Sequence, residues 1–228
     1  MAQKEVWEKE YYNPKLVTLS EEPRKDLKIF VKFLRKEQGD DFNNLKALDL
    51  GSGTGRNGNY LADLGFQVAG FELSKTAVEL AKQRASEQGL FNTNYRVLNI
   101  GEKYPLEDNS IDLVIDVMSS NSLNEKEREI YLAETSRVLK TGGYFFFRGL
   151  CKDGDKHTKN LIKLNPGLEK DTYINKDMGL VERVFTESDF IELYSKYFSI
   201  LRLEKKSNYA KMNNQSYKRN YWVAYMQK

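Results

Sequence analysis

The segment Leu48-Asp49-Leu50-Gly51-Ser52-Gly53-Thr54-Gly55 has the composition of a ligand-binding turn. It closes a short apolar run and precedes a helical pattern. Its alternating glycines let the backbone turn tightly and let a ligand approach the amides. A second acid, Glu72, ends the next apolar run about 20 residues further on, where a carboxylate can accept from both ribose hydroxyls. Two ligand chemistries share this geometry. A dinucleotide rests its pyrophosphate on the helix N-terminus. Asp49 would then set a carboxylate near phosphates, and Arg56 stands where the third dinucleotide glycine belongs. A ligand with a cationic amino-acid end tolerates Asp49.

These acids need strands to carry them. Ala47–Leu50, Gln67–Phe71, Tyr95–Leu98, Ile111–Ile115 and Tyr144–Phe147 read as strands. Amphipathic helices alternate with them: Asn57–Leu64 closed by Gly65, a helix capped by Ser74 and ending at Gly89, and one opened by Asn124 and ended by Gly142-Gly143. A first helix over 20–38 takes Ser20 as its cap and Pro23 in its first turn, with Leu27, Phe30, Val31 and Leu34 on one face and Gly39 as its stop. The pattern predicts an α/β chain, doubly wound, with a mostly parallel sheet covered on both faces. Residues 151–185 read as polar and irregular, too long for a connector, and so as a lid or substrate insertion. Thr186-Glu187-Ser188-Asp189 is a capping box before a helix. Phe198–Leu203 and Tyr221–Met226 read as a closing antiparallel pair, giving seven strands in all.

At this point the sequence resembles the class I SAM-dependent methyltransferases, SAM being S-adenosylmethionine, which carries an ammonium and a sulfonium. The resemblance rests on Leu48–Gly55, on Val68–Ser74, on Ile111–Ile115 and on Arg137–Gly143, in family order over residues 45–150. It implies that Asp49, Gly51, Ser52, Gly53 and Gly55 line the methionine end of SAM. Glu72 would hold the ribose, as an end-of-strand acid with few packed neighbours, and Leu73 would pack by the adenine. Asn99 and Ile100 would meet the adenine edge, although many members carry Asp at the first of these, and Asn99 reads equally as a turn former. Asp116 would end the fourth strand beside the departing methyl group. Trp7 and Tyr11-Tyr12 resemble an aromatic segment that closes over the cofactor. Tyr11, Asp116, Ser119, Asn121 and Arg148 are candidate acceptor-pocket residues, with Arg148 read more readily as reaching solvent. No triad is present, and methyl transfer by in-line displacement requires none. The products would be a methylated small molecule and S-adenosylhomocysteine (SAH).

Composition bounds the rest. The chain has 228 residues, 40% hydrophobic and 12% aromatic, which suits one folded domain. We divide it into an N-terminal helical cap (1–40), a SAM-binding core (41–150), the insertion (151–185) and a closing helix with strands (186–228). A net charge of +3 does not demand a nucleic-acid partner. No apolar run is long enough to cross a bilayer, and Met1–Glu5 show no signal region. One cysteine, Cys151, and one histidine, His157, exclude the usual zinc sets, so no metal is expected. Cys151 reads as a passive thiol and His157 as exposed; the lone cysteine suits a cytoplasmic setting. The alternative function is RNA (tRNA-type) methylation. It rests on Lys205, Lys206, Lys211, Lys218 and Arg219 interleaved with Tyr209, Tyr217, Tyr221 and Trp222. Remoter alternatives are an NAD-dependent oxidoreductase and a non-catalytic SAM- or partner-binding domain.

Overall fold

The computed structural model describes residues 3–212 and 215–228, the side chains of 210–216 excepted. Met1 and Ala2 of the N-terminal stretch, and the Lys211 side chain, lie outside what is described. The strands are β1 Lys46–Leu50, β2 Gln67–Glu72, β3 Thr93–Val97, β4 Ile111–Val117, β5 Leu139–Leu150, β6 Thr172–Asn175, β7 Leu180–Arg183, β8 Ser199–Met212 and β9 Gln215–Gln227. The helices are α1 Lys4–Tyr12, α2 Lys25–Gln38, α3 Arg56–Asp63, α4 Lys75–Glu87, α5 Glu125–Val138, α6 Lys156–Leu164 and α7 Glu187–Tyr194. One seven-stranded sheet runs β3-β2-β1-β4-β5-β9-β8, and β6 pairs β7 in a separate hairpin. β1 to β5 are mutually parallel, while β9 is antiparallel to both β5 and β8. The doubly wound fold read from the sequence is therefore present.

Strand geometry explains how the two faces are filled. Successive side chains point to opposite sides of a sheet. Phe145 and Phe147 of β5 join Tyr131 and Leu132 of α5 and Phe190 and Tyr194 of α7 in one core. Tyr144 and Phe146 face the other way, into the core built by Leu27, Phe30, Val31 and Leu34 of α2. The Phe30 and Phe146 rings sit 5.0 Å apart. Full burial of one such side chain contributes about 1.5–3 kcal/mol.

Several boundaries depart from the sequence reading. α2 begins at Lys25, not near Ser20, because Pro23 disfavours helical geometry at the residue before it; Ser20 instead accepts the Glu22 N–H at 3.1 Å in a turn. α5 stops at Val138, because Leu139 is fully buried and pairs with Ile111 as strand. Gly142 and Gly143 thus lie inside β5 rather than ending a helix. Half of the Thr186 capping box forms: Thr186 accepts the Asp189 N–H, but the Asp189 carboxylate turns to Lys170. The described part of the basic run, 204–212 and 215–219, lies within the two long strands β8 and β9.

The largest difference is in residues 151–185. The segment holds α6 and the β6–β7 hairpin, and Cys151, Tyr173, Val184 and Phe185 are core residues. Its polar surface hid the short elements. Asp155, fully buried at its carboxylate, fastens this segment to the sheet. It caps α6 through the Thr158 N–H at 2.8 Å, accepts the Asn220 N–H of β9 at 2.8 Å, and pairs Arg219 at 3.3 Å. Removing one member of a buried charge pair leaves the other uncompensated. Asp155→Ala is expected to lower the urea unfolding free energy by about 3–5 kcal/mol. Hydrogen exchange should locate the loosening in α6 and the β6–β7 hairpin.

Candidate active site

The strand order reverses direction between β1 and β4, and open α/β sheets bind ligands at the carboxyl ends on either side of such a point. Gly51 and Gly53 sit there with φ of +69° and +53°. A Cβ on Gly51 would lie 2.1 Å from Ser119 Cβ, and one on Gly53 would lie 2.7 Å from the Tyr11 hydroxyl oxygen. Side chains at these positions would be strained and would fill the cradle. Glu72, 6% exposed, holds the turn in place. Its Oε2 accepts the Gly53 N–H at 3.0 Å and its Oε1 accepts the Ser74 N–H at 2.8 Å. Ser74 then caps α4 by accepting the Ala77 N–H and donates to Glu8 of α1. Glu72 is therefore not a sparsely packed strand-end acid. Its pKa is raised by burial, against the pull of those amides.

A cavity of about 750 Å³ opens at this turn. Gly51, Ser52, Gly53 and Glu72 form one side, and Leu73, Asn99 and Ile100 continue it. Trp7 and Tyr11 of α1 close over it, with ring centroids 6.3 Å apart. Tyr12, expected with them, points away and is 84% exposed. Burial, with the Glu72 charge adding to it, raises the Tyr11 hydroxyl well above its usual pKa. Asn99 reaches the cavity while building its own turn: Oδ1 accepts the Gly101 N–H at 3.0 Å and Nδ2 donates to Glu102. Arg148 does not reach solvent. It is 3% exposed, lines the cavity, pairs with Asp26 at 3.1 Å and lies 3.8 Å over the Tyr221 ring.

Other expected residues lie one layer behind the wall. Asp49 and Gly55 are beneath the turn, and Asp116 and Asn121 are in the core. Asp116 is fully buried, with Oδ1 accepting the Ser119 N–H at 3.0 Å and Oδ2 accepting the Tyr131 hydroxyl at 2.7 Å. It cannot stand beside a departing group; it positions Ser119, which packs under Gly51 and lines the cavity. Asn121 Oδ1 accepts the Leu150 N–H at 3.1 Å and serves the backbone of β5. Asp49 Oδ2 is buried without a hydrogen-bond partner. Burial and the neighbouring Asp116 charge raise its pKa to about 7, against the Gly58 N–H. Cys151 is buried and unreactive, its pKa pushed up to about 12 by burial. His157 is half-buried on the Tyr217 ring rather than exposed. No group of residues suited to a metal ion occurs among the described residues.

Sequence reasoning missed Arg24, Met118, Glu182 and Tyr221 as cavity residues. None belongs to a motif. The available signal for Tyr221 was its place two strands from the turn, but that needs the sheet order. Met118 has φ +71°, a sparsely used conformation at the mouth of the site.

A family model described as "Methyltransferase domain" matches residues 48–147. The chain is 38% identical over 101 residues to the sarcosine/dimethylglycine N-methyltransferase of Halorhodospira halochloris, covering 44% of this chain and 36% of that protein. It is 30% identical over 106 residues to an uncharacterized methyltransferase of Schizosaccharomyces pombe, covering 46% of this chain and 71% of that one. The solved 1,6-didemethyltoxoflavin-N1-methyltransferase of Burkholderia thailandensis superposes with a TM-score of 0.70 at 18% identity, covering 99% of this chain and 86% of that one. The chain belongs to the class I SAM-dependent methyltransferases. It spans well under half the length of some curated relatives, 36% of the Halorhodospira enzyme and 38% of a sterol 4-C-methyltransferase of Caenorhabditis elegans.

The residues present fit SAM. The glycine turn brings backbone to the edge of the cavity without side chains, Glu72 offers a buried carboxylate to a ribose, and the unpartnered Asp49 oxygen beneath the turn would be favoured in its charged form by a cationic ligand end. A carboxyl group whose folded pKa exceeds its unfolded value stabilises the fold fully only at low pH. That contribution is lost as pH rises from its usual 3.8 to about 7. The ligand-free protein is therefore expected to lose stability between about pH 4 and pH 7, with Asp49→Asn flattening the decline. Urea midpoints at unit pH intervals would test this; equal slopes for the two proteins would contradict it.

Proposed function

We propose that the protein transfers the SAM methyl group to a small-molecule acceptor bound in the same cavity. The observation that carries this reading is the continuity of one cavity from the Gly51–Gly53 turn and Glu72 to a second wall made by Arg24, Arg148, Glu182 and Tyr221. A volume of about 750 Å³ falls within the usual range of small-ligand sites, and suits a cofactor beside a compact acceptor better than a polymer. When bound, SAM supplies a methyl group on a cationic sulfur, which needs alignment more than acid or base.

The chain's own residues supply that alignment. Glu72 orients the nucleoside end, and the Gly51–Gly53 turn gives the amino-acid end a close approach to the backbone. Trp7 and Tyr11 cover the site and exclude water. Glu182 of β7 is the carboxylate of the acceptor wall; burial raises its pKa, and the Tyr173 hydroxyl donates to it at 2.6 Å. It is placed to take a proton from an acceptor that must lose one. Relatives act on sarcosine and dimethylglycine or on 1,6-didemethyltoxoflavin, as their names state, which supports a small acceptor without choosing one.

The RNA reading draws less support. Lys206 pairs with Glu204 and Arg219 is drawn inward to Asp155, so two of the run's cations are engaged within the protein. No helix among the described residues is long and apolar enough to cross a membrane. A cytoplasmic setting belongs to the same proposal, supported by the single buried cysteine.

Calorimetric titration with SAM, SAH and NAD tests the proposal: the first two should bind and NAD should not. Tight NAD binding without SAM binding would overturn it. Glu72→Ala should weaken SAM by about 1.5–3 kcal/mol, the range for hydrogen bonds to a charged group. It should also lower the melting temperature, because the Gly53 and Ser74 amides lose their acceptor.

A further inference from the structure

The acceptor wall carries more positive charge than the protein around it neutralises. Arg24, just before α2, Arg56, at the start of α3, and Arg148 of β5 all line the cavity. Among the described residues, the one ion pair these three make is Arg148 with Asp26. Arg24 Nε is buried with no hydrogen-bond partner. Burial, and repulsion from Arg56 and Arg148, lower the Arg24 pKa to about 10. A half-buried cation without a counter-charge is destabilising, so a fold keeps one where something else completes the charge.

Neighbours divide the three arginines. Arg56 follows the glycine turn, and the groups favouring its charge are Tyr11 and Asp49, on the cofactor side. SAM has one carboxylate, and Arg56 is the arginine beside the turn that meets its amino-acid end. Arg24 feels Arg56 as well, but its other charged neighbours are Arg148, Tyr221 and Asp26, which lie away from the turn. Arg148 sits 3.8 Å over the Tyr221 ring and donates from Nε to Asp26, so two contacts hold its guanidinium at the cavity. The other carboxylates of the wall are engaged: Glu72 with two amides, and Glu182 with Tyr173 beside Arg219. With Arg56 given to the cofactor, Arg24 and Arg148 still stand against Asp26 alone.

We propose that the methyl acceptor is an oxyanion, a compact carboxylate or phosphoryl compound whose anionic group is bound by Arg24 and Arg148. This deepens the methyltransferase reading above and rests on it. Planar guanidinium forks match both carboxylate and phosphate oxygens, so the class is set by charge, and the test separates the two sources.

The test uses the full chain saturated with SAH. Acetate, hexanoate and benzoate are titrated calorimetrically against acetamide, hexanamide and benzamide, and phenyl phosphate against phenol. At least one oxyanion should bind tenfold or more tightly than its neutral counterpart. Preference for the carboxylates or for phenyl phosphate identifies the group. Arg24→Met should weaken that oxyanion tenfold or more, change SAH affinity less than threefold, and raise the melting temperature of the ligand-free protein by removing a half-buried cation that makes no ion pair. Arg148→Met leaves Asp26 unpaired and can unfold, so Arg148→Lys is the second variant; it keeps the charge but loses the fork, and should weaken the oxyanion at unchanged SAH affinity. Neutral compounds binding as tightly as oxyanions would overturn the proposal. So would an Arg24→Met protein that loses SAH instead of the oxyanion. A wild-type chain that binds no SAH refutes the cofactor reading, whereas one that binds SAH without oxyanion preference refutes only this inference.

Discussion

Two hydrogen bonds to one buried carboxylate organise the ligand-binding edge of the sheet. Glu72 takes the Gly53 amide with one oxygen and the Ser74 amide with the other. The first bond draws the β1–α3 turn against the end of β2. The second fixes the start of α4, whose capping serine also anchors α1 through Glu8. Trp7 and Tyr11 reach the cavity because α1 is held there. Each such charge-assisted bond is short-ranged and directional, so the turn, the helix cap and the N-terminal cover share one geometric reference. A glycine turn alone would be free to adopt several shapes.

The same edge is electrically divided. Beneath the turn lie Asp49, Glu72 and Asp116, all with pKa values raised by burial. Across the cavity stand Arg24 and Arg148, and burial holds Arg24 below its usual value. Both sides pay a desolvation cost in the ligand-free protein. A ligand set with a cation toward the acids and an anion toward the arginines relieves both costs at once. A neutral ligand relieves neither. Fixed, oppositely charged walls also orient a ligand before contact, since the field between them is strong in a cavity shielded from water.

The sequence made the sheet and the cofactor side legible because both follow local rules. Strand periodicity, glycines before a helix and an acid at the next strand end are short-range signals, and Gly51, Gly53 and Glu72 line the cavity at the strand ends those signals mark. Asp49 and Asp116 were recognised as special, but sequence cannot tell a side chain in the wall from one a layer behind it. That distinction depends on how Ser119 packs under Gly51, a contact across 68 residues of chain. Arg24 and Tyr221 were illegible for the same reason at greater distance. They meet Arg148 only because β9 pairs β5 with Tyr221 opposite Leu150, and because α2 packs on Phe146 of that strand. Residues 151–185 misled through composition: α6 is short, and its cap, Asp155, spends its charge on β9 rather than on its own helix alone.

That attachment changes what a lid can mean here. A mobile cover needs few buried contacts, so that opening costs little. This segment instead places Tyr173, Val184 and Phe185 in the core, and Trp222 Nε1 of β9 donates to the Phe185 carbonyl at 2.9 Å. Opening it as a unit would expose those side chains and break the Asp155–Arg219 pair. The acceptor wall formed by Glu182 is therefore preorganised, and the element with fewer core contacts is α1. In α1, Glu10 is the buried residue; Glu8 fastens the helix to α4, and Gln3 at its N-cap donates to the Ser122 and Val181 carbonyls and accepts the Val181 N–H. Gln3 ties α1 to Val181 of β7 and Glu8 ties it to Ser74, so the aromatic cover and the Glu182 side of the cavity are anchored to each other as well as to the sheet edge.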